Sequence, residues 1–526
     1  MDITDSETRS ALMSRIHPKD TNPELIVRKL LHSLGYRYRL HDARLPGKPD
    51  IVFPGKNKVI FVHGCFWHLH QGCPNVRFPK SRLEFWRPKL EGNAARDRES
   101  LKKLQDIGWD VYVIWECETI DEEILKERLV RYMESDKLKS IELFTGAGGL
   151  ALGASRAGFR HEALVELNSQ ACQTVRHNQF MGLTHIVDWP LYEMDVRDFD
   201  YSLYQESIDL LGAGAPCQPF SLGGKHRGCQ DERNMFPEVF RAIRELKPKV
   251  IFVENVKGLA RSSFAPYLNY ILLQIENPEV TWKRNEPWKS HRDRLERFEK
   301  KGSHSSLHYT VHCEVVNAAN YGVPQIRDRV IVIGMRSDVA DEWHFPAPTH
   351  SMDVLLYRQW VTGEYWERHV VAAKNRPGPN PRHLRRIEIL RNNPPDPLLR
   401  PWKTVRDAIQ DLPRIAEGQE DKNILNHFIN PGARSYPGHT GSSYDWPAKT
   451  LKAGVHGVPG GENTLVDGNG GVRYFSVREC ARLQTFPDDF YFPCSWTVSM
   501  RQLGNAVPVD LSEAIASELR RVIISG

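Results

Sequence analysis

The sequence predicts an α/β fold that is repeated in two or three domains, and three observations support this. A chain of 526 residues is too long for one hydrophobic core. Short runs rich in valine and isoleucine alternate with amphipathic, helix-like segments. The polar stretch 128–138 separates two such successions. We therefore expect a first domain at 1–137 and a second α/β assembly from residue 138 onward.

The composition narrows the class of protein. The net charge of +5 is mildly basic, which is compatible with a nucleic-acid partner. Nine scattered cysteines favour reduced thiols and a metal site over a disulfide framework. No apolar run reaches the roughly 20 residues that span a bilayer, and the polar N-terminus is not a signal peptide. We expect a cytoplasmic protein with no membrane contact.

The first domain begins with a helix and continues as a small sheet. Residues 22–36 carry apolar side chains at helical spacing after an Asn-Pro start, and Gly35 ends the helix. Three strands are predicted at 49–53, 58–64 and 109–116. A polar helix over 93–108 lies between the last two strands.

A dense group of histidines and cysteines, HGCFWHLHQGC at 63–73, follows the second of these strands. Cys65, His70, Cys73 and Cys117 could supply the four ligands of a closed tetrahedral zinc site. The alternative is a set of unconnected core cysteines and surface histidines.

Two other histidines of this group, His63 and His68, are not needed as zinc ligands and are candidates for proton transfer. Asp50 precedes a predicted strand, where Pro-Asp is more commonly a turn. A carboxylate that holds Mg²⁺, flanked by histidines for proton transfer, suits hydrolysis of a phosphodiester.

Taken together, residues 1–135 resemble the very-short-patch-repair endonuclease family through HGCFWH and the Pro-Asp pair. The resemblance implies a restriction-endonuclease-like fold that nicks DNA beside a thymine-guanine mismatch. Asp50 would bind Mg²⁺, His63 and His68 would be catalytic, and Glu24 would hold metal-bound water. Residues that would wedge into the duplex are Met13, Phe66, Trp67 and Trp86. Val62 departs from the family, which often has threonine there.

The second domain opens with a strand, a glycine-rich turn and a helix at 139–159. Glycines at 146, 148 and 149 let a ligand approach the backbone, and this turn alone would serve a dinucleotide equally well. Glu166 ends the next predicted strand, where an acid commonly holds ribose hydroxyls.

Cys217, in GAGAPCQPFS at 212–221, is a candidate nucleophile on a tight loop. A buried structural cysteine is the alternative reading of an isolated Pro-Cys pair. The loop is followed in order by DERNMF, FVENV, QIRDR, RECARLQTFPDDF and QLGNAVP, and this order resembles the DNA cytosine-5 methyltransferase family.

That resemblance implies a Rossmann-like methyltransferase domain that uses S-adenosylmethionine. Cys217 would attack carbon 6 of a flipped cytosine, Glu254 would hold ring nitrogen 3, and Arg329 with Arg327 would hold the base or its phosphate. The implied cofactor pocket comprises Phe144, Gly146, Gly148, Leu150, Glu166, Asp195, Pro216, Asn505 and Val507.

The remaining sequence predicts a target-recognition region at 335–475 and a return to the catalytic domain at 476–526. The leading hypothesis is a bifunctional enzyme of double-stranded DNA, a bacterial, nucleoid-associated monomer that methylates cytosine and nicks at T:G mismatches. Two alternatives stay open for the first domain: a restriction nuclease that cuts unmethylated sites, or an inactive DNA-binding module.

Overall fold

The computed structural model describes most of the chain. The described residues are 20–70, 73–76, 83–107, 109–134, 138–216, 234–284, 286–302, 305–340, 343–434, 441–453, 463–466 and 471–525. Contacts divide the chain into two compact units. The first comprises Met1–Asp136 with the short segment Asp200–Ser207, and the second comprises the rest. The division thus comes one residue before the predicted boundary, and the segment 200–207 was not predicted to belong to the first unit.

The first unit is a four-stranded sheet between helices. Its elements are α1 (Asn22–Ser33), β1 (Arg39–Leu40), β2 (Ile51–Phe53), β3 (Lys58–His63), α2 (Leu83–Asp106), β4 (Asp110–Trp115) and α3 (Glu122–Glu134). Strands β1 to β4 lie side by side in chain order, and the last two run parallel. Alternate residues face opposite sides, so Ile51 and Ile60 pack with helices α1 and α3 while Val52 and Val59 pack with α2.

Helix α2 starts ten residues earlier than the polar pattern predicted. It runs through Pro88, which removes one backbone donor near the start of the helix. The early turns carry Leu90, which is fully buried, and Trp86, whose ring contacts Phe66. These tertiary contacts extend the helix beyond the segment that its sequence pattern indicated.

The second unit is built on a seven-stranded sheet. The elements of its first half are β5 (Lys139–Leu143), α4 (Gly149–Arg156), β6 (Arg160–Glu166), α5 (Ser169–Phe180), β7 (Leu191–Glu193), β8 (Leu210–Ala213), α6 (Phe236–Leu246), β9 (Val250–Val256), α7 (Ala265–Glu276), α8 (Trp288–Lys300), β10 (Tyr309–Asn317) and β11 (Asp328–Arg336). The strand order in the sheet is β10-β11-β9-β8-β5-β6-β7. Strands β5 to β9 are parallel, β11 runs antiparallel to β9, and the edge strand β10 runs antiparallel to β11. The predicted α/β class is confirmed.

The rest of the second unit is mostly short helices and loops. Its elements are β12 (His350–Ser351), α9 (Met352–Trp360), α10 (Glu364–Arg368), α11 (Leu384–Asn392), β13 (Arg400–Pro401), α12 (Val405–Ile409), β14 (Thr464–Val466), β15 (Val472–Tyr474), α13 (Val477–Leu483), α14 (Trp496–Asn505) and α15 (Val509–Ser525). Val405, Ile409 and Leu451 share one core with Trp189 and Leu503. Among the described residues, the predicted recognition region therefore belongs to the same compact unit as the catalytic sheet.

The chain's last helix, α15, closes the core beside the glycine-rich turn. Leu511, Ile515 and Leu519 pack with Leu150 and Ala154 of α4. A β-carbon placed on Gly153 would lie 2.4 Å from the β-carbon of Ser512, so the two helices approach as closely as glycine permits. Within the described part of the chain, no helix combines the length and apolarity needed to cross a membrane.

This close approach generates a stability prediction. Gly153→Ala should destabilise the second unit by about 1–3 kcal/mol, because the added methyl group overpacks the α4–α15 contact. Urea unfolding followed by circular dichroism measures the change. Gly92→Ala on α2 is the matched control, since nothing lies near the added methyl group there and alanine is the better helix former. Equal effects of the two substitutions would contradict the packing argument.

Candidate active sites

A cleft of about 730 Å³ opens at the carboxyl ends of β5, β6, β8 and β9. Strand β5 lies between β6 and β8, so the cleft is at the point where the strand order reverses, the usual ligand site of such sheets. Residues of the predicted cofactor pocket that line it are Phe144, Gly146, Leu150, Glu166, Asp195, Pro216, Asn505 and Val507. The structure therefore brings these distant positions together.

The glycine-rich turn joins β5 to α4 and lies at the cleft. Gly146 has a positive φ of 57°, and its N–H donates to Glu166 Oε2 over 2.7 Å. The other carboxylate oxygen of Glu166 accepts from Asn168 N–H, also over 2.7 Å. Glu166 thereby links the turn after β5 to the turn after β6. The remaining lone pairs of a carboxylate held this way can accept hydroxyl hydrogens.

Gly148 differs from its prediction, because it is absent from the lining of the cleft. Its α-carbon faces the ring of Trp189, and a β-carbon there would lie 2.5 Å from that ring. Gly148 also caps α4 with a left-handed φ of 87°. It shapes the turn and leaves room for the Trp189 ring.

Asp195 presents a carboxylate at the other side of the cleft. Arg197 donates to it from Nε and Nη2 over 3.0 and 2.6 Å. These hydrogen bonds lower the pKa of Asp195, which therefore is ionised at neutral pH. An ionised carboxylate accepts hydrogen bonds only, which suits an exocyclic amino group such as that of adenine.

Glu254 and Arg329 face each other across β9 and β11. The side chains form an ion pair with Arg329 Nε 2.6 Å from Glu254 Oε1, and each is nearly buried. Both residues line the same cleft as the predicted cofactor residues. Arg329 also donates from Nη1 to Asp328 O over 2.8 Å, which directs the guanidinium. The pair places a carboxyl group and a guanidinium group together in the cleft.

Cys217 lies outside the described residues, but the loop just before it is described. Pro216 lines the cleft, and Asn255 Nδ2 donates to Ala215 O over 3.2 Å. The residue next to Glu254 therefore holds the segment that leads to Cys217. Sequence reasoning assigned no role to Asn255.

Arg327 was predicted to hold the base or its phosphate, and its position does not support this. The side chain is fully buried and donates from Nη2 to Gly504 O and Ala506 O over 2.7 and 2.9 Å. Its Nη1 donates to Leu451 O over 3.2 Å. The guanidinium is thus engaged by main-chain carbonyls and joins three distant segments. The motif pattern could not separate this role from that of Arg329, two residues away.

Glu142, at the floor of the cleft, was not singled out from the sequence. Its side chain is buried, and burial raises its pKa well above the usual range. The sequence pattern of β5 does not indicate that Glu142 is buried, because the burial of its oxygens depends on the tertiary fold.

In the first unit, the four predicted zinc ligands do converge. The ligand atoms of Cys65, His70, Cys73 and Cys117 lie within 4.8 Å of one another. His70 Nδ1 is 3.5 and 3.4 Å from the sulfurs of Cys65 and Cys117. The parallel pairing of β3 with β4 places His63 opposite Trp115, so the segments after both strands leave the same edge. Three thiols and an imidazole match the donor set of structural zinc.

A second group forms beside it. The rings of His63 and His68 stack at 4.0 Å, and His68 Nδ1 lies 2.6 Å from Asp97 Oδ2. Burial, together with the nearby His68, lowers the pKa of His63 to about 3, so that imidazole is neutral. Asp97 on α2 was missed, because it comes 29 residues later in a polar helix whose spacing carries no signal.

Asp50 lies at the start of β2 next to this group. Its Oδ2 accepts from Val62 N–H over 2.8 Å, and burial, partly offset by that bond, raises its pKa to about 6. Glu24 on α1 is buried and accepts from Arg28 Nη2 over 2.7 Å. A bound cation would stabilise the charged form of a buried carboxylate such as that of Asp50.

Three of the predicted wedge residues cluster. Phe66, Trp67 and Trp86 contact one another with ring centroids 5.2 to 6.1 Å apart, and all three are partly exposed. Lys89 Nζ lies 5.6 Å from the Trp67 ring and 5.5 Å from the Trp86 ring. A cationic, aromatic surface suits a nucleic acid. Met13 lies outside the described residues.

Comparisons with known proteins divide the chain in the same way. The family model "C-5 cytosine-specific DNA methylase" matches residues 138–280 and 288–521, and "DNA mismatch endonuclease Vsr" matches residues 1–74. The type II methyltransferase M.Eco47II of Escherichia coli is 32% identical over 382 residues, covering 72% of this chain and 78% of the relative. The type II nicking enzyme V.XorIIP of Xanthomonas oryzae pv. oryzae is 54% identical over 123 residues, covering 23% of this chain and 90% of the relative.

A further type II nicking enzyme, V.NmeAIP of Neisseria meningitidis, is 44% identical over 136 residues. The match covers 26% of this chain and 96% of the relative. The chain belongs to the C-5 cytosine-specific DNA methylase family. It carries a Vsr-type endonuclease domain in front, and so combines the two kinds of DNA enzyme in one polypeptide. Both resemblances predicted from the motifs are confirmed.

The two arginines of QIRDR should behave differently. Arg327→Met should cost roughly 3 kcal/mol or more of stability and remove S-adenosylmethionine binding, because buried carbonyls lose their donor. Arg329→Lys should leave thermal stability near that of the wild type but reduce methyl transfer at least about tenfold, since lysine lacks the forked donors. Thermal unfolding, calorimetric ligand binding and tritium transfer measure the three properties. If Arg327→Met stayed stable but lost methyl transfer, and Arg329→Lys were unstable, Arg327 would be the residue that acts in the site.

The zinc group makes a separate prediction. The wild-type chain should purify with about one zinc ion, and Cys117→Ala should lose it and unfold the first unit, because a structural site contributes folding free energy. Elemental analysis and limited proteolysis measure this. Cys494→Ala, a partly buried cysteine of the second unit, is the control and should keep the metal. A folded Cys117→Ala protein without zinc would contradict the assignment.

Proposed function

We propose that the chain methylates carbon 5 of cytosine in duplex DNA through a covalent bond to Cys217 and nicks DNA at T:G mismatches with Mg²⁺. The observation that supports the first half is the single cleft that holds both the cofactor residues and the Glu254–Arg329 pair. The observation that supports the second is the His63–His68–Asp97 group with Asp50 beside it.

Methyl transfer needs a nucleophile, because carbon 5 of cytosine reacts poorly. The Cys217 thiolate adds to carbon 6. Glu254, once it has taken up a proton, donates it or a hydrogen bond to ring nitrogen 3 and so stabilises the negative charge that develops there. Arg329 fixes the orientation of both Glu254 and the base, given its 2.6 Å ion pair. Carbon 5 then takes the methyl group of S-adenosylmethionine, a base removes the carbon 5 proton, and the thiolate leaves. The cytosine must leave the duplex for this to happen.

The positions of the predicted cofactor residues in the cleft support the roles that we propose for them. Glu166 accepts ribose hydroxyls, Asp195 accepts the adenine amino group, and the backbone at Gly146 approaches the methionine part. Asn505 and Val507 close the cleft from the chain's C-terminal part. Asn505 is placed by Gly504, where a β-carbon would lie 2.5 Å from Ala453 N.

Nicking is assigned to the first unit. Mg²⁺, when bound, neutralises charge on the phosphate and on the leaving oxygen. Asp50 would hold it together with the Val62 carbonyl, a role for which valine serves as well as threonine. His68, oriented by Asp97, and the neutral His63 exchange protons with the reacting oxygens. Glu24 orients water near Asp50, and Cys65, His70, Cys73 and Cys117 hold Zn²⁺ as a structural ion.

We assign recognition of the mismatched base pair to the aromatic cluster. Phe66, Trp67 and Trp86, with Met13, would enter the duplex where faulty pairing makes unstacking least costly. One polypeptide would then create 5-methylcytosine and start repair of the thymine that its deamination leaves opposite guanine.

Cys217→Ser should abolish methyl transfer while calorimetric binding of S-adenosylmethionine stays within about twofold, because only the covalent step is lost. A duplex with 5-fluorocytosine should trap the wild-type chain covalently, since fluorine blocks the final elimination. Near-wild-type methylation by the serine variant would reject Cys217 as the nucleophile.

Cleavage of three duplexes separates the readings of the first unit. With Mg²⁺, the wild type should nick a T:G duplex and leave paired methylated and unmethylated duplexes intact. Asp50→Ala should abolish nicking with methylation unchanged, and Trp67→Ala should weaken discrimination between T:G and paired DNA. Double-strand cutting of unmethylated paired DNA would replace the repair reading with restriction. No cleavage of any duplex would leave a DNA-binding module.

A further inference from the structure

His41 lies directly opposite Asp50 in the first unit, although no motif marks it. Strands β1 and β2 pair Leu40 with Ile51, and the next residue outward, His41, donates its backbone N–H to Asp50 O over 3.3 Å. His41 has a left-handed φ of 47°, a conformation that costs about 1 kcal/mol or more for such a residue. A local backbone strain of this kind points to a requirement on where the imidazole ring lies.

The ring bridges two charged groups. His41 Nε2 lies 2.9 Å from Arg28 Nη2, and His41 Nδ1 lies 3.6 Å from Asp50 Oδ1. The His41 side chain is largely buried, with 16% of its surface exposed. The opposite oxygen of Asp50 accepts from Val62 N–H. One carboxylate oxygen of Asp50 is therefore held by a backbone hydrogen bond, and the other lies beside the His41 ring.

The partners determine the tautomer of the ring. A guanidinium nitrogen can only donate, so His41 Nε2 must accept from Arg28. The ring hydrogen then resides on Nδ1, and Nδ1 lies 3.6 Å from Asp50 Oδ1, an electrostatic contact longer than a hydrogen bond. This is the arrangement in which an imidazole transmits orientation from a fixed cation to a carboxylate.

Arg28 is itself fixed. It donates from Nη2 to Glu24 Oε2 over 2.7 Å and from Nη1 to Asp20, while Tyr38 donates to its main-chain oxygen over 2.9 Å. Asp20, Glu24 and His41 are close enough to hold a metal ion, but the guanidinium already supplies the positive charge at their centre. This group is therefore a support for Asp50 rather than a second metal centre.

We infer that His41 is a positioning residue that aims the Asp50 carboxylate at the divalent cation. The chain of contacts runs from Glu24 through Arg28 and His41 to Asp50. Loss of such a supporting partner typically costs about 10–100-fold in metal affinity. The inference rests on the proposed nicking function in that it takes Asp50 to be the cation ligand.

Three substitutions at position 41 test it in the full chain. His41→Gln should retain the role, because the glutamine carbonyl accepts from Arg28 while its amide donates to Asp50. His41→Leu fills the space without hydrogen bonds, and His41→Asn is polar but too short to bridge. His32→Leu, an exposed histidine on α1, is the matched control.

Mn²⁺ serves as the probe, and its binding is measured by electron paramagnetic resonance with Asp50→Ala as the blank. His41→Leu and His41→Asn should weaken site-specific Mn²⁺ binding about 10–100-fold. His41→Gln and His32→Leu should stay within about threefold of the wild type. The Mg²⁺ concentration for half-maximal nicking should rise by a similar factor in the first two variants only. Retained zinc and circular dichroism verify that each variant is folded.

The outcomes separate this inference from the proposed function. Wild-type Mn²⁺ affinity in folded His41→Leu or His41→Asn would overturn the positioning role, and so would a glutamine variant as weak as leucine. A wild-type chain that binds Mn²⁺ through Asp50 but nicks no duplex would refute the proposed nicking, while the binding comparison would still decide the role of His41.

Discussion

The second unit depends on the buried guanidinium of Arg327. Its donors reach the main-chain oxygens of Leu451, Gly504 and Ala506, while Gln325 next to it accepts from Leu451 N–H over 3.0 Å and donates to Leu483 O over 3.2 Å. Unpaired carbonyls in this interior would each cost about 1–3 kcal/mol. Satisfying them together brings the chain's C-terminal motifs against β11, and so closes the cleft that Asn505 and Val507 line.

In the second unit, the strand order of the sheet determines which residues meet at the cleft. The strand reversal at β5 leaves a crevice at the carboxyl ends, and the turns there carry Gly146, Glu166 and Pro216. The antiparallel β11 then brings Arg329 beside Glu254. A methyl donor and a flipped base can therefore occupy neighbouring parts of one cleft, which the proposed transfer requires.

The first unit brings its candidate site residues together with a smaller, four-stranded sheet. Parallel pairing of β3 with β4 gathers three cysteines and one histidine at one edge, and the same edge carries His63 and His68. On the other side of β3, the antiparallel β2 and β1 place Asp50 and His41 opposite each other.

The sequence by itself determined the two families and the α/β class, because ordered motifs report residues that chemistry requires at fixed places in a strand–turn–helix unit. It also predicted most of the residues that the structure gathers in the cleft of the second unit and in the histidine and cysteine groups of the first. It could not distinguish Arg327 from Arg329, or show that Gly148 faces Trp189, since burial depends on packing between distant segments. It also left Asp97, His41, Asn255 and Glu142 without roles. These residues reach their sites through helix packing, strand register and strand order, which only the tertiary structure decides.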